Sequence, residues 1–523
     1  MPDRQVAQAD GMFFHSPCDK SMTISDSGQK SPCSPIGHLP DEMLLEIFDC
    51  CRRADEYGWN HRRQWYMLLH VCRKWRYRML ESASRLELRL LCTYQTPVAE
   101  MLVHTPPLPL IIQYDADFVV NGPHAEENRL LPFQHADRVC SIFVSGWHFG
   151  TDLRGQHGLL DKAFPALETL ALSSEFYTTT PFPRNFTAPH LRSLILNGLS
   201  ISVASPLLTN AANLISLRLQ YIPVNNYGEP SPGYLVEVLS NLPRLKNLLI
   251  IYPNSPHDIE YMFRASRLRP ISAPDQITRV VLPNVSTLIY AGVGLYLENL
   301  LALISTPLLQ RFDATYHPHR HFTVPCLSEF LGTIHNLDFQ RVEVSLGNSR
   351  SVTITYHLGP SSDTLSYLKF TIDEAYYGRR EQVGFARQIC RTMAPVHPIL
   401  QDLTLEYRES GESPITYSPS HSFLLSLKGV TTLRLLQKNL AAELADALGL
   451  QPDNGVVIKE LLPMLSELVV VCREDRVLER LVSFIDERRL AGHHIEFRVL
   501  EESWPSFSFP DNNSHWSFDW HIF

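Results

Sequence analysis

The chain has no CxxC pair: its ten cysteines are scattered over 523 residues, without the dense frame of a small secreted domain or the paired spacing of a zinc site. They read as reduced thiols of an intracellular protein. A basic excess is missing too, since 46 Lys and Arg stand against 55 Asp and Glu for a formal charge of −9. No electrostatic pull toward phosphate backbones follows, and nucleic acid is not an expected partner. No segment approaches the ~20 uninterrupted apolar residues of a membrane span, and the N-terminal MPDRQVAQADGMFFHSPCDK carries no apolar stretch of signal-peptide length. The expected place is cytoplasm and/or nucleus, with no membrane partner, and the sequons at Asn185, Asn284 and Asn512 are then chance matches. The motifs GxSxG, HExxH and GxxxxGK[ST] are absent as well, so neither an enzyme nor a cofactor is expected.

What is present is a folded composition, 44% hydrophobic and 19% charged, in a chain too long for one compact core. Two or three domains, or one long stack of repeats with attachments, satisfy that length. Residues 1–35, rich in Ser, Pro, Gly, Asp and Gln, lack apolar periodicity and read as a disordered tail. Order begins at IGHLPDEMLLEIFDCCRR, where Pro40 suits a first helical turn, Asp41 and Glu42 suit the helix dipole, and Leu44, Leu45, Ile47 and Phe48 make an apolar face. After a polar stretch comes WYMLLHVCRKWRYRML, with Leu68, Leu69, Val71, Cys72 and Trp75 expected inside and Arg73, Lys74 and Arg76 outside. Three short helices fit residues 36–82, too few to stand alone.

Leu39-Pro40-Asp41-Glu42, Leu45, Ile47-Phe48 and Val71-Cys72-Arg73-Lys74-Trp75 together resemble the F-box, the adaptor-binding motif of SCF-type ubiquitin ligases. Trp75 follows Leu39 by 36 positions, more than that family usually shows, and the surplus falls in the polar Arg53 to Gln64, where a loop tolerates insertion. The resemblance implies that Leu39, Pro40, Leu44, Leu45, Ile47, Phe48, Val71, Cys72 and Trp75 meet the adaptor and, through it, a cullin. The bland alternative is a helical cap for the domain that follows.

Residues 83–138 read as a connecting segment with strand-like runs at Leu86 to Leu91 and Leu108 to Tyr114. From there to residue 500 the pattern LxxLxL, admitting other apolar residues, starts at Leu167, Leu191, Leu214, Leu245, Val285, Leu309, Ile334, Leu365, Leu400, Val430 and Leu465, with a weaker copy at Val139. Several copies follow a proline phrase such as FPALETL, APHLRSL or LPRLKNL, where the proline is expected to stop the preceding segment. Alternation along a strand sends the leucines of xLxLx to one side and the residues between them to the other. The pattern is similar to a leucine-rich repeat, with less even spacing. It implies an α/β fold: an N-terminal three-helix F-box followed by an irregular repeat solenoid with a parallel concave sheet. The positions that carry Asn or Cys in common repeats are here Glu175, Leu199 and Ile222, so no asparagine ladder is expected there.

Residues between the leucines collect Leu249 and Ile251 as an apolar patch, with Arg218, Gln220, Arg311, Asp313 and Asp338 around it. A mixed surface of this kind suits a protein partner, and these seven are the candidate substrate contacts. His317, His319 and His321 alternate but are interrupted by Pro318, and read as a surface loop rather than metal ligands. Asp115-Ala116-Asp117 and the GVG at Gly292 to Gly294 lack the surroundings of a nucleotide site. The C-terminal 501–523, with Phe507, Phe509, Trp516, Phe518, Trp520 and Phe523, is expected to cap the array or, alternatively, to dock a partner. The implied role is substrate receptor of an SCF-type ligase, with an unknown protein as substrate. The alternative is a repeat scaffold acting outside any ligase.

Overall fold

The computed structural model describes residues 39–54, 64–115, 125–145, 158–178, 185–199, 206–221, 231–253, 279–317, 324–335, 339–346, 351–358, 366–373, 388–407, 424, 426–436, 462–471, 475–490 and 492–500. The expected tail at residues 1–35 and the aromatic segment 501–523 lie outside them. The chain divides into two units between Ser82 and Ala83.

The first unit holds α1 (Asp41–Ala54), α2 (Gln64–Leu69) and α3 (Arg73–Glu81). Pro40 stands one position before α1, and its carbonyl accepts the first helical bond from Leu44 N at 3.1 Å. Proline's missing N–H costs nothing there. Leu44 and Phe48 of α1 and Trp75 and Met79 of α3 are buried, i, i+4 pairs that each share a helix face, and Leu69 of α2 is buried with them.

The second unit is mixed α/β around one large, mostly parallel sheet. Its strands are β1 (Leu90–Cys92), β2 (Leu110–Asp115), β3 (Val139–Ser145), β4 (Thr169–Thr178), β5 (Ser193–Leu199), β6 (Ser216–Gln220), β7 (Asn247–Ile251), β8 (Val280–Val281), β9 (Thr287–Val293), β10 (Ile304–Ser305), β11 (Arg311–His317), β12 (Phe339–Leu346), β13 (Ser351–Leu358), β14 (Tyr367–Asp373), β15 (Asp402–Tyr407), β16 (Thr432–Leu435), β17 (Glu467–Val471) and β18 (Glu496–Leu500). Sixteen of them join in the order β1-β2-β3-β4-β5-β6-β7-β9-β11-β14-β13-β12-β15-β16-β17-β18, while β8 and β10 pair separately. Between strands run α4 (Val98–His104), α5 (Ala125–Gln134), α6 (Pro206–Thr209), α7 (Pro232–Ser240), α8 (Gly294–Leu303), α9 (Pro325–Leu331), a 3₁₀ helix (Ala394–Ile399) and α10 (Asp475–Leu490).

Ten copies of the leucine pattern become strands that start two residues after the first apolar position, as Leu167 does for β4 and Leu465 for β17. Their leucines stack in register, Ile142-Leu170-Leu194-Leu217-Leu248-Leu288-Phe312 across β3 to β11 and Leu403-Leu433-Leu468 across β15 to β17. All of these are buried. Helices close that face, as Phe330 of α9 against Phe312 shows, with ring centroids 5.9 Å apart. The proline phrases do more than stop a segment. In FPAL, APHL, LPRL, LPNV, TPLL and LPML the N–H of the fourth residue donates to the carbonyl of the first (Leu167 to Phe164, Leu191 to Ala188, Leu245 to Leu242, Val285 to Leu282, Leu309 to Thr306, Leu465 to Leu462). Each phrase is a β-turn with proline at its second position, where its fixed φ is already correct. The residue after the first leucine of most copies then lends its carbonyl to two N–H groups at the start of the next strand, as Glu168 does to Arg192 and Ser193, and Lys246 to Ser286 and Thr287. Asn213 and Asn284 donate side-chain bonds to the carbonyls of Pro189 and Pro243 at 3.0 and 2.8 Å, so asparagines tie these turns from a position other than the usual one.

Three expectations need correction. Residues 83–138 are more than a connection, because β1 and β2 pair in parallel with each other and with β3 as the first strands of the sheet. The sheet is also not wholly parallel: β13 runs antiparallel to both β12 and β14. Only residues 347–350 join β12 to β13, and so short a link admits no parallel crossover. The chain therefore folds back, and β14 rather than β12 lies beside β11. The copy expected at Ile334 is displaced as well. Ile334 sits in a turn, and β12 starts only at Phe339.

Candidate functional site

In the first unit the nine residues expected to meet an adaptor separate by exposure. Leu44, Phe48 and Trp75 face inward, with the Phe48 and Trp75 rings edge to face at 5.1 Å; they hold α1 on α3 and present little surface. Leu39, Leu45 and Ile47 are half-buried, and Pro40 and Cys72 are exposed. Val71 and Cys72, both read in the sequence as inside residues, are exposed, Val71 to 51%, because they lie in the link between α2 and α3 rather than on a helical face. Met43 and Met67 add apolar surface at 53% and 70% exposure.

Polar contacts fix the start of α1 to α3. Lys74 Nζ donates to the Leu39 carbonyl at 3.0 Å and lies 3.5 Å from Asp41 Oδ1, while Arg78 reaches Asp41 Oδ2 at 2.6 Å and Glu81 at 2.7 Å. Asp41 thus serves the helix dipole and the α3 cations at once. A hydrogen bond to Glu81 is the main cause that holds the Arg78 guanidinium above its ordinary range.

In the second unit the sheet face opposite the packed helices carries the residues expected to touch a substrate. Register places Arg218, Leu249, Ile289 and Asp313 in one row and Gln220, Ile251 and Ala291 in the next, with Arg311 two residues before Asp313 on β11. Six of the seven candidates share this face, and Asp338 lies outside the described residues. The reading of Leu249 and Ile251 as an open patch is corrected: they are 8% and 3% exposed and form a closed cluster with Ala291 and Ile289. Adjacent strands lie only about 4.8 Å apart, so neighbouring apolar side chains cover one another's flanks.

The exposed part of the face is polar. Asp313, buried, lies 3.5 Å from Lys369 of β14; burial raises its carboxyl, with Lys369 and then Arg311 opposing. Burial, followed by the nearby charge of Arg311, lowers the Arg218 guanidinium. Arg311 also lies over the Tyr367 ring, 5.2 Å from its centre. Beyond β14 the antiparallel fold adds His357 3.5 Å from Glu343, and Arg341 3.5 Å from Asp402. His357 sits in the row of Tyr367 and Arg341, and Thr355 in that of Lys369 and Glu343. Sequence reasoning missed these because it followed leucine spacing; the alternation of SVTITYHL, with Val352, Ile354 and Tyr356 buried, was the available signal.

His317 is buried in β11, and His319 and His321 lie outside the description. Among the described residues no group of three or more His, Cys, Asp or Glu is placed to hold a metal ion, and no helix is long and apolar enough to cross a membrane. A cleft of about 350 Å³ opens at the strand starts among Arg89, Asp137, Arg138, Cys140 and Glu168. There Arg138 is already committed to the Leu108 carbonyl at 3.0 and 2.8 Å. No protein-family model matches the chain, and no curated protein matches it.

Proposed function

We propose that the protein is the substrate-recognition subunit of an SCF-type ubiquitin ligase, with residues 36–82 acting as an F-box toward the adaptor and the strand array as a repeat solenoid toward a protein substrate. The observation that carries this reading is the LPDE…VCRKW pattern on helices α1 to α3, where the most characteristic residues divide into an internal set (Leu44, Phe48, Trp75) and an exposed set (Pro40, Val71, Cys72). A small helical unit that leaves Val71, Met43 and Met67 to solvent has apolar surface to bury against a partner. The division of the chain into one compact unit up to Ser82 and another from Ala83 supports reading residues 36–82 as a module of its own. The polar face from Arg311 to Asp402 supports a protein as the second ligand, since charges of both signs alternate there and a phosphate-binding face would be uniformly basic. Transfer of ubiquitin belongs to other subunits in this reading.

Affinity purification of the full chain from cells should bring down the adaptor and a cullin. Val71→Asp and Pro40→Ala should remove both while the melting of the sheet unit stays unchanged. Trp75→Ala should lose them differently, by unfolding the small unit, because truncating a core aromatic costs about 3–5 kcal/mol. Unchanged adaptor recovery with Val71→Asp and Pro40→Ala would leave the chain as a repeat scaffold outside any ligase.

A further inference from the structure

Two cations border the apolar cluster of Leu249, Ile251, Ala291 and Ile289 on the candidate face. Arg218 of β6 stands in the row of Leu249, Ile289 and Asp313. Arg311 of β11 stands one row over, with Thr287, Asn247 and Ser216. Three strand spacings lie between β6 and β11, roughly 14 Å, a gap that two long side chains close from opposite sides. They do approach one another: after burial, the charge of Arg311 is what lowers the Arg218 guanidinium. Arg311 lies over the Tyr367 ring, and such stacking leaves the in-plane N–H groups of a guanidinium to hydrogen-bond elsewhere. Its Nε is buried and, among the described residues, has no hydrogen-bond partner. The ground between the two arginines is apolar, with Leu249 buried and Ile289 half-buried, and a charge pair made over it is screened less than one in open water.

We propose that Arg218 and Arg311 together grip one carboxylate, the side chain of an Asp or Glu in an extended segment of a partner protein. The inference rests on this face being the substrate-binding one and names what the face selects. An anion between two like charges relieves their repulsion, and the paired N–H donors of a guanidinium match the two oxygens of a carboxylate. A carboxylate fits better than a phosphate because Asp313 stands in the row of Arg218, two residues from Arg311. Even with Lys369 3.5 Å away, its negative charge repels a dianion about twice as strongly as a monoanion. A peptide fits better than a polyanion because neutral hydrogen-bonding side chains flank the two arginines, Ser216, Asn247 and Thr287 in one row and Asn197 and Gln220 in another. Those groups can meet backbone amides, and they add no charge for a run of phosphates.

Selection of a displayed random-peptide library on the immobilised full chain tests this. No adaptor takes part, so failure here and failure of the ligase reading are distinguishable. The wild type should enrich peptides that carry Asp or Glu. In fluorescence anisotropy, exchanging the acid of an enriched peptide for its amide should weaken binding about tenfold on the wild type and hardly at all on an Arg218→Gln, Arg311→Gln variant of unchanged melting. Arg498→Gln, on β18 of the same sheet, should bind as the wild type does. If the double variant melts early, Arg218→Lys and Arg311→Lys, which keep the charge but lose the fork, carry the same comparison, with an intermediate loss expected. A library that yields no binders or no acidic ones overturns the proposal, and so does an acid-to-amide loss of equal size on wild type and variants. A phosphoserine peptide that binds more tightly than its Glu counterpart overturns it in favour of a phosphate.

Discussion

Replacing Glu298 by Gln should remove one pH-dependent contribution to the stability of the sheet unit, so that the order of the two proteins switches between pH 5 and pH 8. Glu298 lies on α8, 2% exposed, and its Oε2 accepts the N–H of Cys326 at 2.7 Å. It thereby caps α9, whose own capping residue, Val324, has no side-chain acceptor. Among the described residues Oε1 has no hydrogen-bond partner. Burial pushes this carboxyl from 4.5 up to about 8, against the two backbone bonds that favour its charge. The folded state therefore holds a proton that the unfolded state releases. The stability is fully present below pH 4.5 and is lost as pH rises through 8. At about 1.4 kcal/mol per unit, the loss amounts to roughly 3 kcal/mol by pH 7 and rises by roughly 3 to 4 kcal/mol between pH 5 and pH 8. Gln does not titrate and keeps the acceptor for Cys326, but it buries an amide N–H₂ where Oε1 was, at a cost of about 1–3 kcal/mol. Glu298→Gln should thus melt below the wild type at pH 5 and above it at pH 8. Urea denaturation of both proteins at half-unit pH steps measures the difference directly. Parallel stability curves across that range would show that Glu298 is ionised in the fold and that the reasoning from its burial is wrong.

His397 should act with the opposite sign. It is 0% exposed, between Tyr356 Oη at 3.1 Å and Ser426 Oγ at 2.7 Å, and burial lowers it from 6.5 to about 4. Its stability is present above 6.5 and is lost as pH falls toward 4. His397→Gln should therefore flatten the acid limb of the same titration by about 3 kcal/mol, and an unchanged limb would refute the assignment. Leu217→Asp, in the middle of the buried row on β6, should unfold the neighbouring strands together rather than β6 alone. A variant with wild-type melting would show the register to be wrong.

How much of this was legible in the sequence varied with the range of the interaction that decides it. The inward leucines at Leu170, Leu194, Leu217 and Leu248 were readable because a strand's alternation is a property of the backbone, and the proline phrases because proline fixes its own φ. The helices of residues 36–82 were readable for the same local reasons, from the acids at Asp41 and Glu42 and the spacing of Leu44 and Phe48. Which of those residues point inward was legible only in part: Leu69 and Trp75 are inside as expected, whereas Val71, four residues before Trp75, sits in a turn and Cys72 is exposed. The candidate face shows the same division: periodicity put Arg218, Leu249 and Asp313 on one side. Tertiary structure alone decided that Leu249 and Ile251 close against Ala291 and that β14 displaces β12 from the edge of β11. It also brought Arg341, Glu343 and His357 into rows with Tyr367 and Lys369, residues separated in sequence by a reversed hairpin. Local pattern fixes which side of a strand a residue faces; which strand comes next depends on how short the connections are and what the neighbouring edge can bury, and no single segment carries that information.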